Sequence, residues 1–204
     1  MDHRVPEVLD TYHQLIRDER SMPREMPASG RDGGEDRRLR AVGPDTGRLL
    51  NVLSGSLKAP TILEIGTSFG YSGIWLAEGA RSSGGRVITM EVHGYKSEFA
   101  RDMAEKAGLA ELIDFRVGDA VEMIGDLPGG IDLVLLDLWK DLYAPCLHAF
   151  LPKLSNGAIV VADNVGPGQE NTQAYVEAVS AVPAMASVTL PVGQGVEISR
   201  YRLA

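Results

Sequence analysis

The chain has 204 residues, 44% of them hydrophobic and 24% charged, which suits one folded domain because a single core serves chains of up to roughly 250 to 300 residues. The 20 basic and 28 acidic residues give a formal net charge of -8, which disfavours binding of nucleic acid through a broad basic surface. The single cysteine, Cys146, excludes an internal disulfide, and no N-terminal apolar segment resembles a signal peptide or a membrane span, so we expect a cytoplasmic protein.

The first 40 residues form two regions of different character. Residues 3–20 have apolar residues at helical spacing, which predicts an amphipathic helix that packs on the domain or on a partner. Residues 21–40 combine Gly, Pro and mixed charges without apolar periodicity, which predicts a mobile loop whose arginines face solvent. We therefore expect an N-terminal helix and loop over 1–40, followed by the main domain over 41–204. The apolar positions of the helix are Val5, Val8, Leu9, Tyr12, Leu15 and Ile16.

From a helix opened by Asp45 or Thr46, strand and helix patterns alternate regularly along the chain. Such alternation predicts a Rossmann-like α/β fold with a mostly parallel, doubly wound sheet. Residues 186–203 instead predict a C-terminal antiparallel hairpin that turns through Gly193-Gln194-Gly195, giving seven strands in all. The five parallel strands are TILEIG (61–66), RVITMEV (86–92), LIDFRVG (112–118), IDLVLLDL (131–138) and GAIVVADNV (157–165), and helices follow from near Tyr71, Lys96, Ala120, Asp141 and Asn171.

The first strand runs into the glycine-rich turn EIGTSFGYS, which contains Gly66, Ser68 and Gly70. A turn of this kind lets a ligand approach the backbone and the N-terminus of the following helix. NAD binding would favour glycine at position 68, and Glu64 would repel a pyrophosphate. The turn therefore favours a cationic ligand that lacks phosphate.

Two acidic residues follow the next strands. Glu91 lies about 20 residues beyond the turn, where a carboxylate can bind the hydroxyls of an adenosine ribose; the alternative is a surface acid at a strand end. Asp119 is a candidate for contact with the adenine amino group and equally for the N-cap of the next helix. Together with the turn, these residues predict a nucleoside-containing cofactor.

The last two parallel strands end in oxygen ligands, Asp137 and the pair Asp163-Asn164. Two carboxylates and an amide on adjacent strand ends suit a hard divalent cation such as Mg²⁺. The alternative for Asp163-Asn164 is a turn that caps the strand, but this does not account for Asp137 on the neighbouring strand end. The set predicts a metal site beside the cofactor cleft.

Two further residues follow Asp137. Lys140 can turn back toward the same ion, where nearby positive charge would favour loss of its proton and a role as general base; the alternative is an exposed lysine at a helix start. Trp139 forms an aromatic wall of the site or packs in the core.

Five stretches in order, EIGTSFGYS, ITMEV, LLDLWKDLY, VVADNV and LPVGQGVEISR, resemble the metal-dependent class I O-methyltransferases that use S-adenosylmethionine, in the catechol and caffeoyl-CoA O-methyltransferase group. The likeness runs from Val42 to Arg202. The caffeoyl-CoA branch has Asp-Ala-Asp-Lys where this chain has Asp137-Leu138-Trp139-Lys140, and the Trp-Lys-Asp-x-Tyr continuation is closer to the catechol enzymes.

The resemblance assigns Asp137, Asp163 and Asn164 to the metal, Lys140 to proton abstraction, and Trp139, Lys140 and Asn164 to the substrate. Two departures concern the acceptor: Leu138 stands where catechol enzymes carry a histidine, and no acid near Val188 is available for the second hydroxyl. The full set expected at S-adenosylmethionine is Val42, Glu64, Gly66, Ser68, Gly70, Tyr71, Ser72, Glu91, Val92, Asp119, Ala120 and Asp137.

The resemblance thus predicts a homodimeric enzyme that moves the methyl group of S-adenosylmethionine to a hydroxyl of a small phenolic, catechol-like acceptor, with Mg²⁺ lowering the pKa of that hydroxyl. Three alternatives remain: a methyltransferase of the same fold that modifies a hydroxylated tRNA base, an NAD-linked oxidoreductase, and a binding protein without catalysis. The acidic net charge argues against the tRNA enzyme, and Glu64 and Ser68 in the turn argue against the oxidoreductase. The binding protein is disfavoured by the intact set of Asp137, Lys140, Asp163 and Asn164.

Overall fold

A computed structural model describes residues 3–21, 35–166 and 168–203 of the chain. Seven strands form one mixed sheet in the order β3-β2-β1-β4-β5-β7-β6. Strands β1 to β5 are parallel, and β7 runs antiparallel to both β5 and β6. The strands are β1 (Thr61–Ile65), β2 (Arg86–Glu91), β3 (Ile113–Val117), β4 (Ile131–Leu136), β5 (Leu154–Asp163), β6 (Met185–Leu190) and β7 (Val196–Tyr201). The fold class predicted from the sequence is confirmed, including the antiparallel C-terminal hairpin.

Helices cover both faces of the sheet because the central strands are apolar on both sides. Alternate residues of β1 show this: Ile62 belongs to the core on the α1 to α4 side, and Leu63 to the core on the α5 to α7 side. The helices are α1 (Arg4–Ser21), α2 (Pro44–Gly55), α3 (Tyr71–Arg81), α4 (Gly94–Ala107), α5 (Ala120–Gly125), α6 (Tyr143–Phe150) and α7 (Gln173–Ser180). In the described part of the chain, every helix is too short or too polar to span a bilayer.

Several helix starts differ from the prediction. Helix α2 begins at Pro44, because proline at the first position has a backbone angle already suited to a helix, and α4 begins at Gly94 rather than Lys96. Asp141 and Asn171 lie in short 3-10 turns that precede α6 and α7. One turn of 3-10 helix and one of α-helix present nearly the same apolar spacing, so the sequence pattern does not separate them.

The N-terminal helix packs on the same core as the sheet. Val5, Val8, Leu9 and Tyr12 are buried against α3 and α4, whereas Leu15, predicted on the apolar face, is 37% exposed. The predicted mobile loop falls mainly on residues 22–34, outside the described residues. Its last part, residues 35–40, is held against the domain by hydrogen bonds described below.

Candidate active site

The carboxyl ends of β1, β2, β4 and β5 open into a cavity of about 610 Å³. In the sheet order, β1 lies between β2 and β4, so the connections run in opposite directions from this point. Ligands of open α/β sheets bind in the crevice formed by such a reversal. The cavity therefore lies where the predicted strand-end residues converge.

The turn after β1 is fixed by the neighbouring strand. The backbone amides of Gly66 and Thr67 both donate to the carbonyl of Met90 at 3.0 Å, and the amide of Ser68 donates to Glu91 Oε2 at 2.8 Å. Gly66 and Ser68 both have positive φ angles, of 104° and 45°. The turn thus exposes its backbone on the cavity wall before α3 begins at Tyr71.

Glu91 is 8% exposed and is held by several donors. Its Oε1 accepts from the backbone amide of His93 at 3.0 Å and lies 3.1 Å from His93 Nδ1. The imidazole also stacks at a tilt against Trp139, with ring centroids 6.1 Å apart. His93 therefore connects the predicted ribose-binding carboxylate to the aromatic wall next to Lys140.

Asp119 is the N-cap of α5, as one of its two predictions stated, and its contact with adenine stays a prediction. Its Oδ1 accepts from the backbone amide of Glu122 at 3.1 Å, so it caps α5, and its side chain lines the cavity beside Ala120. The cap fixes this carboxylate on the β3 side of the cleft, opposite the end of β4.

Charged side chains meet at the ends of β4 and β5. Lys140 Nζ lies 3.3 Å from Asp137 Oδ1, 2.5 Å from the hydroxyl of Tyr143 and 3.4 Å from the carbonyl oxygen of Asp163. The Tyr143 hydroxyl itself donates to that same carbonyl at 2.9 Å. Lys140 is therefore turned back over the strand ends rather than directed into solvent.

Burial and mutual repulsion act on the two aspartates. Burial, followed by the negative charge of Asp137, raises the pKa of Asp163 to about 8. Burial also raises the pKa of Asp137, whereas the positive charges of Lys140 and Arg40 act in the opposite direction. A cation bound beside these two carboxyls would stabilise their ionised forms. The pair is therefore a candidate cation site.

The donor set fits a hard cation in its chemistry. Asp163 Oδ1 is buried and has no hydrogen-bond partner among the described residues, and Oδ2 accepts from the side-chain amide of Asn164 at 2.8 Å. Asn164 adopts a left-handed backbone with φ of 55° directly after the end of β5. The described residues contain no group of three or more His, Cys, Asp or Glu side chains arranged for a metal, so the candidate set is two carboxylates with the Asn164 amide.

Most of the predicted site residues line this one cavity, and three do not. Val42 is buried beside it, Gly70 precedes α3 in a left-handed conformation, and Glu64 lies fully buried beneath the turn, where it accepts from Thr89 Oγ1. These three remain predictions as ligand contacts. The residues brought together on the wall are Gly66, Ser68, Tyr71, Ser72, Glu91, Val92, Asp119, Ala120, Asp137, Trp139, Lys140, Asp163 and Asn164.

The sequence patterns missed a second group on the wall, which includes Asp36, Arg40, Lys96 and Gln194. The first two lie in a stretch without periodicity, and Lys96 lies in the first turn of a helix, where lysine is ordinary. Gln194 lies in the turn of the C-terminal hairpin. The only available signal was position: Arg40 precedes the predicted cofactor segment at Val42 by two residues.

Comparison with known proteins gives a consistent result. Residues 36–200 match the family model described as O-methyltransferase. A catechol O-methyltransferase from Mycobacterium tuberculosis is 36% identical over 152 residues, which cover 74% of this chain and 67% of that protein. The chain spans less of two other proteins of that name, 58% of the one from Niastella koreensis and 54% of the one from Mus musculus.

Solved structures show the same architecture. The crystal structure of cofactor-bound Rv0187 from M. tuberculosis has a TM-score of 0.76 at 26% identity and covers 97% of this chain and 91% of that one. An O-methyltransferase from Bacillus cereus in complex with SAH has a TM-score of 0.75 at 24% identity and covers 99% and 92%.

Proposed function

The chain belongs to the family of S-adenosylmethionine-dependent O-methyltransferases, and from this premise we propose that it transfers the methyl group to a hydroxyl of a small, catechol-like acceptor at a site that holds a divalent cation. The observation that carries the proposal is the meeting of Asp137, Lys140, Asp163 and Asn164 at neighbouring strand ends, beside the Gly66 turn and Glu91. Membership of this family removes the support for an NAD-linked oxidoreductase.

The cofactor would lie along the ends of β1, β2 and β3. Glu91 is fixed by Ser68 and His93, so its carboxylate is already oriented toward the cavity for the ribose hydroxyls. The exposed backbone of the Gly66 turn and Ser72 would hold the methionine portion. Because these groups are fixed before binding, little conformational entropy would be lost when the cofactor binds.

The acceptor would lie against Trp139 with its hydroxyls toward Asp163. Asp137, Asp163 and Asn164 would hold the cation, which when bound supplies positive charge that lowers the pKa of an acceptor hydroxyl. Lys140 Nζ, in its neutral form, takes the hydroxyl proton, and the acceptor oxygen forms a bond to the methyl carbon as the electrons of the carbon–sulfur bond return to sulfur. The contribution of the protein is mainly alignment of the two reactants and exclusion of water.

The first experiment is calorimetric titration with S-adenosylmethionine, followed by methyl transfer to a panel of catechols with Mg²⁺ and with EDTA. We expect binding of the cofactor and transfer that EDTA abolishes and Mg²⁺ restores. Transfer that survives EDTA would reject the cation, and transfer to monophenols at the same rate as to catechols would reject the vicinal acceptor.

The homodimer and the cytoplasmic location inferred from the sequence stay predictions. Light scattering of the purified full chain tests the first, because a dimer would have twice the mass of 21.9 kDa. Fractionation of the source cells tests the second.

A further inference from the structure

Arg40 lies on the wall of the same cavity as Asp137 and Lys140, in the chain segment that immediately precedes α2. Its backbone has a φ of 46°, in the left-handed region that a non-glycine residue seldom adopts. Such conformations are maintained where surrounding contacts fix them, and they are concentrated at functional sites.

Those contacts are visible on both sides of Arg40. The amide of Leu39 donates to Glu19 Oε2 at 3.0 Å, and the carbonyl of Leu39 accepts from Ser68 Oγ at 3.0 Å. Four residues before Arg40, the carbonyl of Asp36 accepts from the hydroxyl of Tyr95 at 3.0 Å, and that hydroxyl lies 2.8 Å from the amide nitrogen of Asp36. The segment that carries Arg40 is thus tied to α1, α4 and the turn after β1, so the arginine is held in place.

An ion pair with Asp36 holds one edge of the Arg40 guanidinium. Its Nε donates to Asp36 Oδ2 at 2.7 Å, and the Asp36 side chain is 4% exposed. Within the described residues, this is the one ion pair or hydrogen bond of the Arg40 side chain, which is 56% exposed. Its two terminal nitrogens therefore remain available to a ligand in the cavity.

The charges of Asp36, Arg40 and Lys96 do not cancel. Asp36 Oδ2 also lies 3.2 Å from Lys96 Nζ, so one carboxylate is shared by two cations, and the three side chains together carry one net positive charge. Lys96 is 4% exposed and faces the Phe69 ring at 5.2 Å. A buried cation is costly unless it is paired, so Lys96 and Arg40 share Asp36, and the charge of Arg40 also acts on Asp137.

We propose that Arg40 binds a carboxylate carried by the methyl acceptor, so that the preferred acceptor is an acidic catechol rather than a neutral or cationic one. The inference rests on the proposed function and deepens it by naming the charge class of the substrate. Arginine presents a planar fork of donors that matches a carboxylate. The acceptor would bind with its hydroxyls at the cation held by Asp137, Asp163 and Asn164 and with its carboxylate at Arg40, which lines the same cavity.

A carboxylate at Arg40 has two possible sources, the acceptor and the methionine portion of the cofactor. Direct binding separates them. The ligands are S-adenosylmethionine, and two catechols of nearly equal size: 3,4-dihydroxybenzoate and 3,4-dihydroxybenzyl alcohol. Calorimetry with both catechols on the complex with S-adenosylhomocysteine and Mg²⁺ measures acceptor recognition without turnover, so it remains informative if methyl transfer fails.

The variant is Arg40→Met, which keeps an unbranched side chain but removes the charge and the donors, and the matched control is Arg37→Met. Arg37 is 84% exposed and pairs with Glu35. We expect the full-length wild type to bind the acid about tenfold or more tightly than the alcohol. Arg40→Met should lose about 10- to 100-fold in affinity for the acid, the range of a charge-assisted hydrogen bond, and less than about threefold for the alcohol. Arg37→Met should bind both as the wild type does.

Three results would overturn the inference: equal affinity of the wild type for the two catechols, no binding of either, or a preference that persists in Arg40→Met. If Arg40→Met instead loses about tenfold in affinity for S-adenosylmethionine while keeping its preference for the acid, the arginine binds the cofactor. Failure of the proposed function looks different, because then S-adenosylmethionine does not bind or no catechol is methylated, whatever residue stands at position 40.

Discussion

At the scale of single residues, Lys140 shows how neighbours determine the role of a common side chain. Its amine is within 3.4 Å of Asp137, Tyr143 and the Asp163 carbonyl, and its side chain is 17% exposed. Tyr143 is buried, which raises its pKa well above the usual range and keeps its hydroxyl protonated as a donor to that carbonyl. The tyrosine therefore positions the lysine without competing for the acceptor proton.

Lys140→Met should lower kcat by at least about 100-fold, because loss of a positioned general base costs roughly 10²- to 10⁴-fold. The Kd for S-adenosylmethionine should change little, since Lys140 is not among the residues expected at the cofactor. Steady-state kinetics with calorimetry checks both values. Lys106→Met, at an exposed position near the end of α4, is the control, and an unchanged kcat in Lys140→Met would remove the lysine from the mechanism.

At the scale of elements, the site depends on the close approach of β1 and β4 at their carboxyl ends. The amide of Asp137 donates to the carbonyl of Ile65 at 2.9 Å, so the chain after β4 stays joined to the end of β1. Gly66 follows directly, with φ of 104°, and a Cβ on it would fall on the carbonyl oxygen of Asp137. A side chain at position 66 would therefore disturb the cofactor turn and the Asp137 strand end together.

Gly66→Ala should destabilise the fold and weaken S-adenosylmethionine binding by about tenfold or more, because strain in the backbone is combined with a steric clash. Gly130→Ala is the matched control. Its φ of 94° gives similar strain, but nothing lies within 4 Å of the added Cβ. Thermal unfolding and calorimetry on both variants separate the two causes. Equal losses would show that conformation alone, and not the contact with Asp137, makes glycine necessary at position 66.

At the scale of the whole molecule, a buried acid links stability to pH. Glu64 is fully buried in the centre of the sheet, and burial raises its pKa to about 7. Its Oε2 accepts from Thr89, whereas Oε1 has no hydrogen-bond partner among the described residues. The folded protein thus retains a proton on Glu64 at pH values where the unfolded chain, with an ordinary glutamate pKa of about 4.3, has released it.

The stability that protonated Glu64 contributes is fully present below about pH 4.3 and is lost as pH rises through about 7, because ionisation in the core is unfavourable. Relative to Glu64→Gln, the wild type should lose about 3 kcal/mol of unfolding free energy between pH 4.5 and 8, from roughly 1.4 kcal/mol per pKa unit. Denaturant unfolding across this range measures the difference. Glu98→Gln, at an exposed position of α4, should show no such slope, and parallel curves for wild type and Glu64→Gln would contradict the raised pKa.

The alternation of strands and helices determined the fold class from the sequence, because the continuous apolar runs of strands buried on both faces and the period-3.6 patterns of helices depend on local burial alone. The same logic located Glu91, Asp137, Asp163 and Asn164, since the ends of parallel strands necessarily meet at one edge of the sheet. Neither the fold class nor the strand-end residues required knowledge of contacts between residues that are far apart in the sequence. The first residues of the helices were predicted less accurately, because a turn of α-helix and a turn of 3-10 helix have nearly the same spacing of apolar residues.

Only the tertiary structure decided the positions of Asp36, Arg40, Lys96 and Gln194, which come from a loop, a helix start and a hairpin turn that no periodicity connects. It likewise placed Glu64 beneath the turn rather than on the cavity wall. Ion pairing across 60 positions of the chain, as between Asp36 and Lys96, depends on how separate elements pack. A local pattern in the sequence carries no information about that packing, and it is the packing that gives this cavity its charge.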